Sequence, residues 1–307
     1  MYKLLSHCRQ SLSLYLVLLL ISCFPLNAQL WQTPEPLRAS GPIFSNPASP
    51  VLTSDGLYLF VADTGNDLIQ ILRPGSLNSI GVLGLRSFNS PTDIAFDKNG
   101  YVYISDTGNN RIVIGEFKGV SKYGGVIANY VTEWSEGIES PRGIAISTPM
   151  TAYVVNSSKN ELLKISAGKI IRRILSANSL SFKNPTDVII GEEGNIYLSD
   201  TGNNRIVIFN TDLSLNSIIS NDNHNVHMPT YMSLDNNKTL FFADKRNGDI
   251  KMVSTLYSQS NSIPYAKTTL IDHEIEYTPN AIMVDGRYLW VTDKLNGKII
   301  LFRRKPY

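Results

Sequence analysis

The chain has 307 residues, 43% of them hydrophobic and 18% charged, with 28 basic side chains against 26 acidic ones and two cysteines. A chain of this length can bury a sizeable single core without disulfides. The near balance of charge excludes the broad basic footprint of a general nucleic-acid binder.

Residues 1–28 read as a secretory signal. Lys3 and Arg9 precede an apolar run from Leu12 to Phe24 that is too short to favour a membrane span, and cleavage after Ala28 would leave Gln29 first. Leu20-Ile21-Ser22-Cys23 also resembles a bacterial lipoprotein box, which would end the signal before Cys23 and place a lipid anchor on that residue. Cys8 and Cys23 both fall in this segment, so the mature domain is expected to have no disulfide in an oxidising compartment. Loss of Lys3 and Arg9 leaves 26 charges of each sign, and no other hydrophobic anchor follows. The expected location is extracellular, or the periplasm or a membrane surface if the source is bacterial and Cys23 is lipidated.

Beyond residue 46 the chain repeats itself. Pro91-Thr92-Asp93-Ile94-Ala95-Phe96, followed by Tyr101 to Ile114, returns almost unchanged from Pro185 to Ile208, with Asp-Thr-Gly-Asn-Asn-Arg-Ile-Val-Ile intact in both. Weaker copies complete six units: Pro47 to Asp63, Pro91 to Asp106, Pro141 to Asn156, Pro185 to Asp200, Pro229 to Asp244 and Pro279 to Asp293. Successive turn residues lie 43, 50, 44, 44 and 49 positions apart, the spacing of four-stranded propeller blades. In the second unit the β-branched and aromatic runs predict strands at Ile94 to Phe96, Tyr101 to Ser105 and Ile112 to Ile114. Asp97 to Gly100 reads as a hairpin turn and Asp106 to Asn110 as the next turn. Helical periodicity is absent after the first thirty residues, which disfavours a helical array.

The pattern Pro-x-Asp-Ile-Ala-Phe-Asp, then Ile/Val-Tyr-x-Ser-Asp-Thr-Gly-Asn-Asn-Arg-Ile, resembles the NHL repeat. That resemblance implies an all-β, six-bladed β-propeller of four-stranded antiparallel blades, formed by residues 29–307 as one domain. Its repeats lie near 47–72, 91–117, 141–166, 185–210, 229–254 and 279–302. The second and fourth match closely. The first and third match partly, through Asp63-Thr64-Gly65-Asn66 and Asn156-Ser157-Ser158-Lys159-Asn160, and the last two keep chiefly Asp-Lys-x-Asn-Gly. The sixth unit ends at Phe302, after its third strand. An open sheet edge invites aggregation, so Trp31 to Phe44 is expected to supply the missing outer strand and close the ring.

The residues two after each Pro are Ser49, Asp93, Gly143, Asp187, Tyr231 and Ala281, preceded by Ala48, Thr92, Arg142, Thr186, Thr230 and Asn280. Antiparallel order places them at the mouth of the central channel. Asp93, Arg142, Asp187, Tyr231 and Asn280 are the candidate ligand-binding residues, able to hold a cation between the carboxylates or an anionic group at Arg142. The competing reading has each Asp bonding backbone amides where strands converge. Asp63, Asp106, Asp200, Asp244 and Asp293 recur once per blade on a circle and cannot converge on one ion. They read as structural turn residues, with Gly65, Gly108 and Gly202 supplying unusual backbone angles and Arg111 and Arg205 reaching a neighbouring blade's turn or carbonyls. His224, His227 and His273 are weak metal candidates by zinc-site spacing. Arg303-Arg304-Lys305 reads as a solvated end. Asn156-Ser157-Ser158 and Asn237-Lys238-Thr239 fit the glycosylation pattern if the source is eukaryotic.

Enzymes on related propellers set the comparison for activity. Peptide-amidating lyases hold zinc with histidines spread over different blades, and six-bladed lactonases hold calcium with Glu, Asn and Asp. Here three histidines cluster in two loops, and Asn280 with Asp93 and Asp187 makes an incomplete calcium set. No Ser-His-Asp or Cys-His arrangement stands out and no catalytic residue can be named. The expected function is a secreted binding scaffold whose channel mouth engages a protein, peptide or glycan, with no cofactor and no nucleic acid. The alternative is a metal-assisted lyase or lactonase-like hydrolase at the same mouth, using Ca or Zn. A purely structural extracellular domain is the third possibility.

Overall fold

A computed structural model describes residues 35–41, 43–123, 125–220, 226–255 and 277–304. They form six small antiparallel blades, five of them built from strands consecutive in sequence, and a two-stranded hairpin of Ser176–Ala177 and Leu180–Ser181. The first blade runs from the axis outward as Pro47–Leu52, Leu59–Asp63, Leu68–Leu72 and Ser79–Val82. The innermost strands of the next five are Pro91–Phe96, Pro141–Thr148, Val188–Ile190, Pro229–Leu234 and Pro279–Asp285. Among the described residues the fifth blade has three strands and the others four. The sixth is completed from the other end of the chain: Glu35–Ala39 pairs antiparallel with Lys298–Arg303, placing Glu35 opposite Arg303 and Ala39 opposite Ile300. Ser40 continues the closure, its amide bonding the Ile299 carbonyl at 2.9 Å while its hydroxyl accepts the Ile299 amide at 3.0 Å.

Side-chain alternation explains the ring. In Leu59–Asp63 both faces are apolar: Phe60 and Ala62 pack with Ile94, Ile104 and Val113 of blade two, while Leu59 and Val61 pack with Trp290, Ile299 and Leu301 of blade six. Four more apolar clusters fill the remaining interfaces, around Tyr103 and Ile144, Val155 and Val188, Tyr197 and Phe242, and Phe241 and Val291. Two strands of one blade thus serve two interfaces at once.

Polar groups hold the turns. Asp106 accepts the Asn89 amide at 2.7 Å on one oxygen, and the Asn109 amide group at 2.9 Å and Arg111 Nε at 2.7 Å on the other. Asp200 repeats this with Lys183, Asn203 and Arg205 at 2.8, 2.8 and 2.6 Å. Asp63, Asp244 and Asp293 likewise accept the amides of Ser45, His227 and Thr278. The carboxylate therefore ties the end of the second strand to the segment that leads into the first. Blade three has Asn156 here, and its amide group donates to Glu161 at 2.7 Å. Glu161 occupies the register of Arg111 and Arg205 and recruits Arg173, so the charge pattern is inverted and still paired.

Three expectations are corrected. Gly65, Gly108 and Gly202 do not have positive φ; the left-handed residues are Asp67, Asn110 and Asn204, at 58°, 54° and 52°. The glycines serve close approach, since each amide bonds the carbonyl of Ser45, Asn89 or Lys183 at 2.7 to 2.8 Å. A Cβ on Gly108 would lie 2.4 Å from the Asn89 side chain, and one on Gly202 would lie 2.6 Å from the Lys183 carbonyl. Arg111 and Arg205 stay with their own blade's carboxylate and with the carbonyls of Ser87, and of Ala177 and Leu180, in the segments leading into that blade. Arg304 is 2% exposed and bonds Asp235 of blade five at 3.0 Å, so this residue is anchored and not solvated. Asn156 is likewise buried, whereas Asn237 is exposed. No helix among the described residues is long and apolar enough to cross a membrane.

Deleting the chain through Ser40 is expected to expose the Lys298–Arg303 edge, lowering the melting temperature and promoting aggregation. An unchanged melting temperature by calorimetry would sink the closure argument. Gly108→Ala is expected to cost about 1–3 kcal/mol in denaturant unfolding, because overpacking against Asn89 forces the turn apart.

Candidate functional site

Where the six innermost strands meet, their first turns differ from blade to blade. The residues two after each Pro form a layer that is buried at all six positions, with Asp93 5%, Asp187 3% and Tyr231 3% exposed. The layer therefore lies inside the channel and not on an open rim. Each carboxylate sits at the junction of two blades. Asp93 accepts its neighbour Ile94's amide at 2.8 Å and the Ile144 amide of blade three at 2.7 Å. Asp187 does the same with Val188 at 2.8 Å and with Met232 of blade five at 2.7 Å. Between these two clamps Gly143 lets blades three and four approach, its amide bonding the Thr186 carbonyl at 2.9 Å; a Cβ there would lie 2.5 Å from Asp187 Cα.

A second set of bonds links the blades one residue higher. The hydroxyls of Thr64, Thr107, Ser157 and Thr201 donate to the carbonyls of Pro91, Pro141, Pro185 and Pro229 in the next blade, at 2.8, 2.6, 3.0 and 2.6 Å. Blades five and six have Lys245 and Lys294 at this position. There Thr230 donates to the Asn280 carbonyl at 3.1 Å, and the Asn280 side chain donates to the Pro47 carbonyl at 2.8 Å, joining the last blade to the first.

Asp93, Asp187, Tyr231 and Ser49 line one cavity of about 250 Å³. From this polar layer it extends along the inner strands to the half-buried Val51, Ile190, Leu234 and Met283. Burial pushes the Asp93 carboxyl up to about 7 against the opposing pull of Ser49 and the Ile144 and Ile94 amides. Asp187 is raised well above the usual carboxylate range, by burial first and then by the charge of Asp93, with the Met232 and Val188 amides and Arg142 acting the other way. The pair therefore retains a proton up to about neutral pH. Burial likewise lifts Tyr231 to about 12 in spite of Arg142 nearby. The Arg142 guanidinium is close enough to act on both Asp187 and Tyr231, yet neither Tyr231 Oη nor Arg142 Nε completes a hydrogen bond of normal geometry among the described residues. A buried carboxyl pair, a phenol and a serine hydroxyl that donates to Asp93 thus line one space whose remaining walls are apolar.

Of the sequence-predicted residues, the structure brings Asp93, Asp187 and Tyr231 together, sets Arg142 beside them and commits Asn280 to blade closure. Ser49 was within reach of the same spacing argument and belongs to the cavity. His224 and His273 lie outside the described residues. The His227 ring faces the Asn247 side chain at 3.3 Å, away from the acid layer. No group of three metal-ligating side chains occurs among the described residues. Every oxygen of Asp93 and Asp187 already accepts an amide, and burial favours their neutral forms. These two side chains fit an interblade clamp and not a calcium or zinc cage.

The sequence profile of the NHL repeat matches residues 88–114 and 182–209. Comparison with curated protein sequences gives no match. Among solved structures, a streptogramin B lyase is 15% identical, with a TM-score of 0.60 over 91% of this chain and 100% of that one. A catalytically inactive virginiamycin B lyase from Staphylococcus aureus with quinupristin is 15% identical, with a TM-score of 0.56 over 84% and 80%. A chain of a nidogen/laminin complex is 19% identical, with a TM-score of 0.57 over 80% and 88%. At these identities the likeness is one of fold.

The raised carboxyls give a signed pH dependence. Asp93 has a folded value of about 7 against an ordinary 3.8, so the folded chain binds more protons in between; the stability is full below about 4 and is lost as pH rises through 7. Asp93→Asn is expected to lower stability by an offset and to flatten this decline between about pH 4 and 7. Parallel melting-temperature profiles for the two proteins would contradict the assignment.

Proposed function

We propose that this NHL-repeat β-propeller is an exported binding module that takes a side chain or sugar ring of a peptide, protein or glycan into its axial cavity. The observation that carries the reading is the convergence of Asp93, Asp187, Tyr231 and Ser49 on one cavity. The volume of about 250 Å³ lies just below the roughly 300–1,000 Å³ of whole small-molecule sites, which suits one inserted group of a larger ligand. Donors that stay neutral favour uncharged acceptors such as peptide carbonyls and sugar hydroxyls, while Val51, Ile190, Leu234 and Met283 cover apolar surface. The propeller found in a nidogen/laminin complex supports the general idea that this architecture serves protein assembly. Export rests on residues 1–28, with Gln29 or a lipidated Cys23 as the first mature residue.

A displayed random-peptide library and a glycan array, screened against the full chain, test the proposal. Selected ligands should bind saturably, weaken at least about tenfold in Val51→Trp, which fills the half-buried cavity wall, and keep their affinity in Ile171→Trp on the outer edge of blade three. Equal binding by wild type and Val51→Trp would overturn the axial reading.

A further inference from the structure

The opposite side of the acid layer carries charge that the cavity does not use. In blades one to four the residue after the turn carboxylate or amide is a hydroxyl that reaches the next blade's Pro carbonyl beside the axis. In blades five and six that position is lysine, and the backbone keeps the same place. The Lys245 amide bonds the Met228 carbonyl at 3.2 Å and the Lys294 amide bonds the Thr278 carbonyl at 2.9 Å, as Ser157 does to Ser140 at 3.3 Å. Replacing a staple hydroxyl by lysine gives up an interblade bond and puts an exposed cationic residue at the staple position. Arg142, from blade three, stands one residue above the acid layer with its Nε buried and unpartnered.

Lys245 and Lys294 form no salt bridge among the described residues, while Arg142 has only the buried Asp187 and the Tyr231 hydroxyl beside it. Lys245 and Lys294 start from the ring of interblade positions that surrounds the axis, next to the Pro-x-Asp entries to which Arg142 belongs; desolvation, then repulsion from Lys294 and Arg142, lowers the Lys245 pKa in agreement with that placement. The flanking carboxylates are engaged elsewhere: Asp244 holds the His227 amide, Asn247 and Lys251, and Asp293 holds the Thr278 amide and Asn296. Asp187 faces Arg142 from below, but its burial favours the neutral acid. Three like charges in a ring of otherwise paired side chains store repulsion that a bound anion removes.

We propose that Arg142, Lys245 and Lys294 form an anion-binding site on the turn face of the propeller axis, receiving a carboxylate or phosphate group. The guanidinium offers a planar fork and the two ammonium groups adjustable point charges, a combination that suits either oxyanion. The site is separate from the axial cavity, whose lining includes Asp93, Asp187 and Tyr231 but none of Arg142, Lys245 and Lys294.

Isothermal titration of the full chain with inorganic phosphate and, separately, with tricarballylate tests this at low ionic strength. At least one probe should bind saturably with one-to-one stoichiometry, and the stronger arm identifies the oxyanion class. The double variant K245M/K294M, at two exposed positions, should keep its circular dichroism spectrum and bind that probe about tenfold or more weakly. Lys169→Met, on the exposed outer strand of blade three, and Val51→Trp should leave binding unchanged. Absence of saturable binding by both probes would overturn the site, as would equal weakening by K245M/K294M and Lys169→Met. Either result can occur with peptide or glycan binding at the cavity intact, so the two proposals fail separately.

Discussion

The second strand of blade one is apolar on both sides, with Leu59 and Val61 turned toward blade six and Phe60 and Ala62 toward blade two. A sheet of this kind cannot rest one face in water, as most antiparallel sheets do, and so needs a neighbour on each side. Repeating the unit around an axis supplies both neighbours. The same requirement falls hardest on the last blade, which must meet the first across the ends of the chain. Glu35–Ala39 on the edge, Trp290 bonding the Pro74 carbonyl at 3.0 Å and Asn280 bonding the Pro47 carbonyl at 2.8 Å all act at this one seam.

Apolar contact between blades is non-directional, and register comes from polar groups that have a single place to go. The turn carboxylates fix each blade's own corner, and the hydroxyls after them fix its neighbour. Inside the channel Asp93 and Asp187 extend the same logic, each joining two blades through a pair of amides. Such a carboxylate is paid for in desolvation, which is why both groups hold their protons so far above the usual range. Structure and site are therefore not separable at the axis: the clamps that join blades two to three and four to five also floor the cavity.

Much of this was legible in the sequence. The repeat revealed blade number, strand order and the closing strand, because a conserved period between Pro and Asp is a statement about register that survives divergence elsewhere. The turn aspartates were readable for the same reason. What could not be read is how close two backbones come. Gly108 is needed for its contact with Asn89, a residue nineteen positions earlier, while the left-handed angle falls on Asn110. Glu161 compensates Asn156 only through the pairing of two strands, and Arg304 finds Asp235 in the preceding blade. At the axis the spacing from Pro singled out one layer of residues but not its burial. Burial depends on how far six strands converge, and no single repeat contains that information.

Where the repeats disagree, they do so in a pattern with physical direction. On the axis, blade three contributes Gly143 and Arg142, blade five Tyr231 and Lys245, and blade six Ala281 and Lys294, in place of the Asp and Thr of blades two and four. Below the acid layer these exchanges leave neutral donors and apolar walls; above it they leave cations. The layer lies between the two ends, and burial raises both of its carboxyls above the usual range. A symmetric ring of six identical blades would have neither end. The loss of the hydroxyl staple in blades five and six, offset by Thr230 and Asn280, is what frees the Lys245 and Lys294 positions for charge while the ring stays closed.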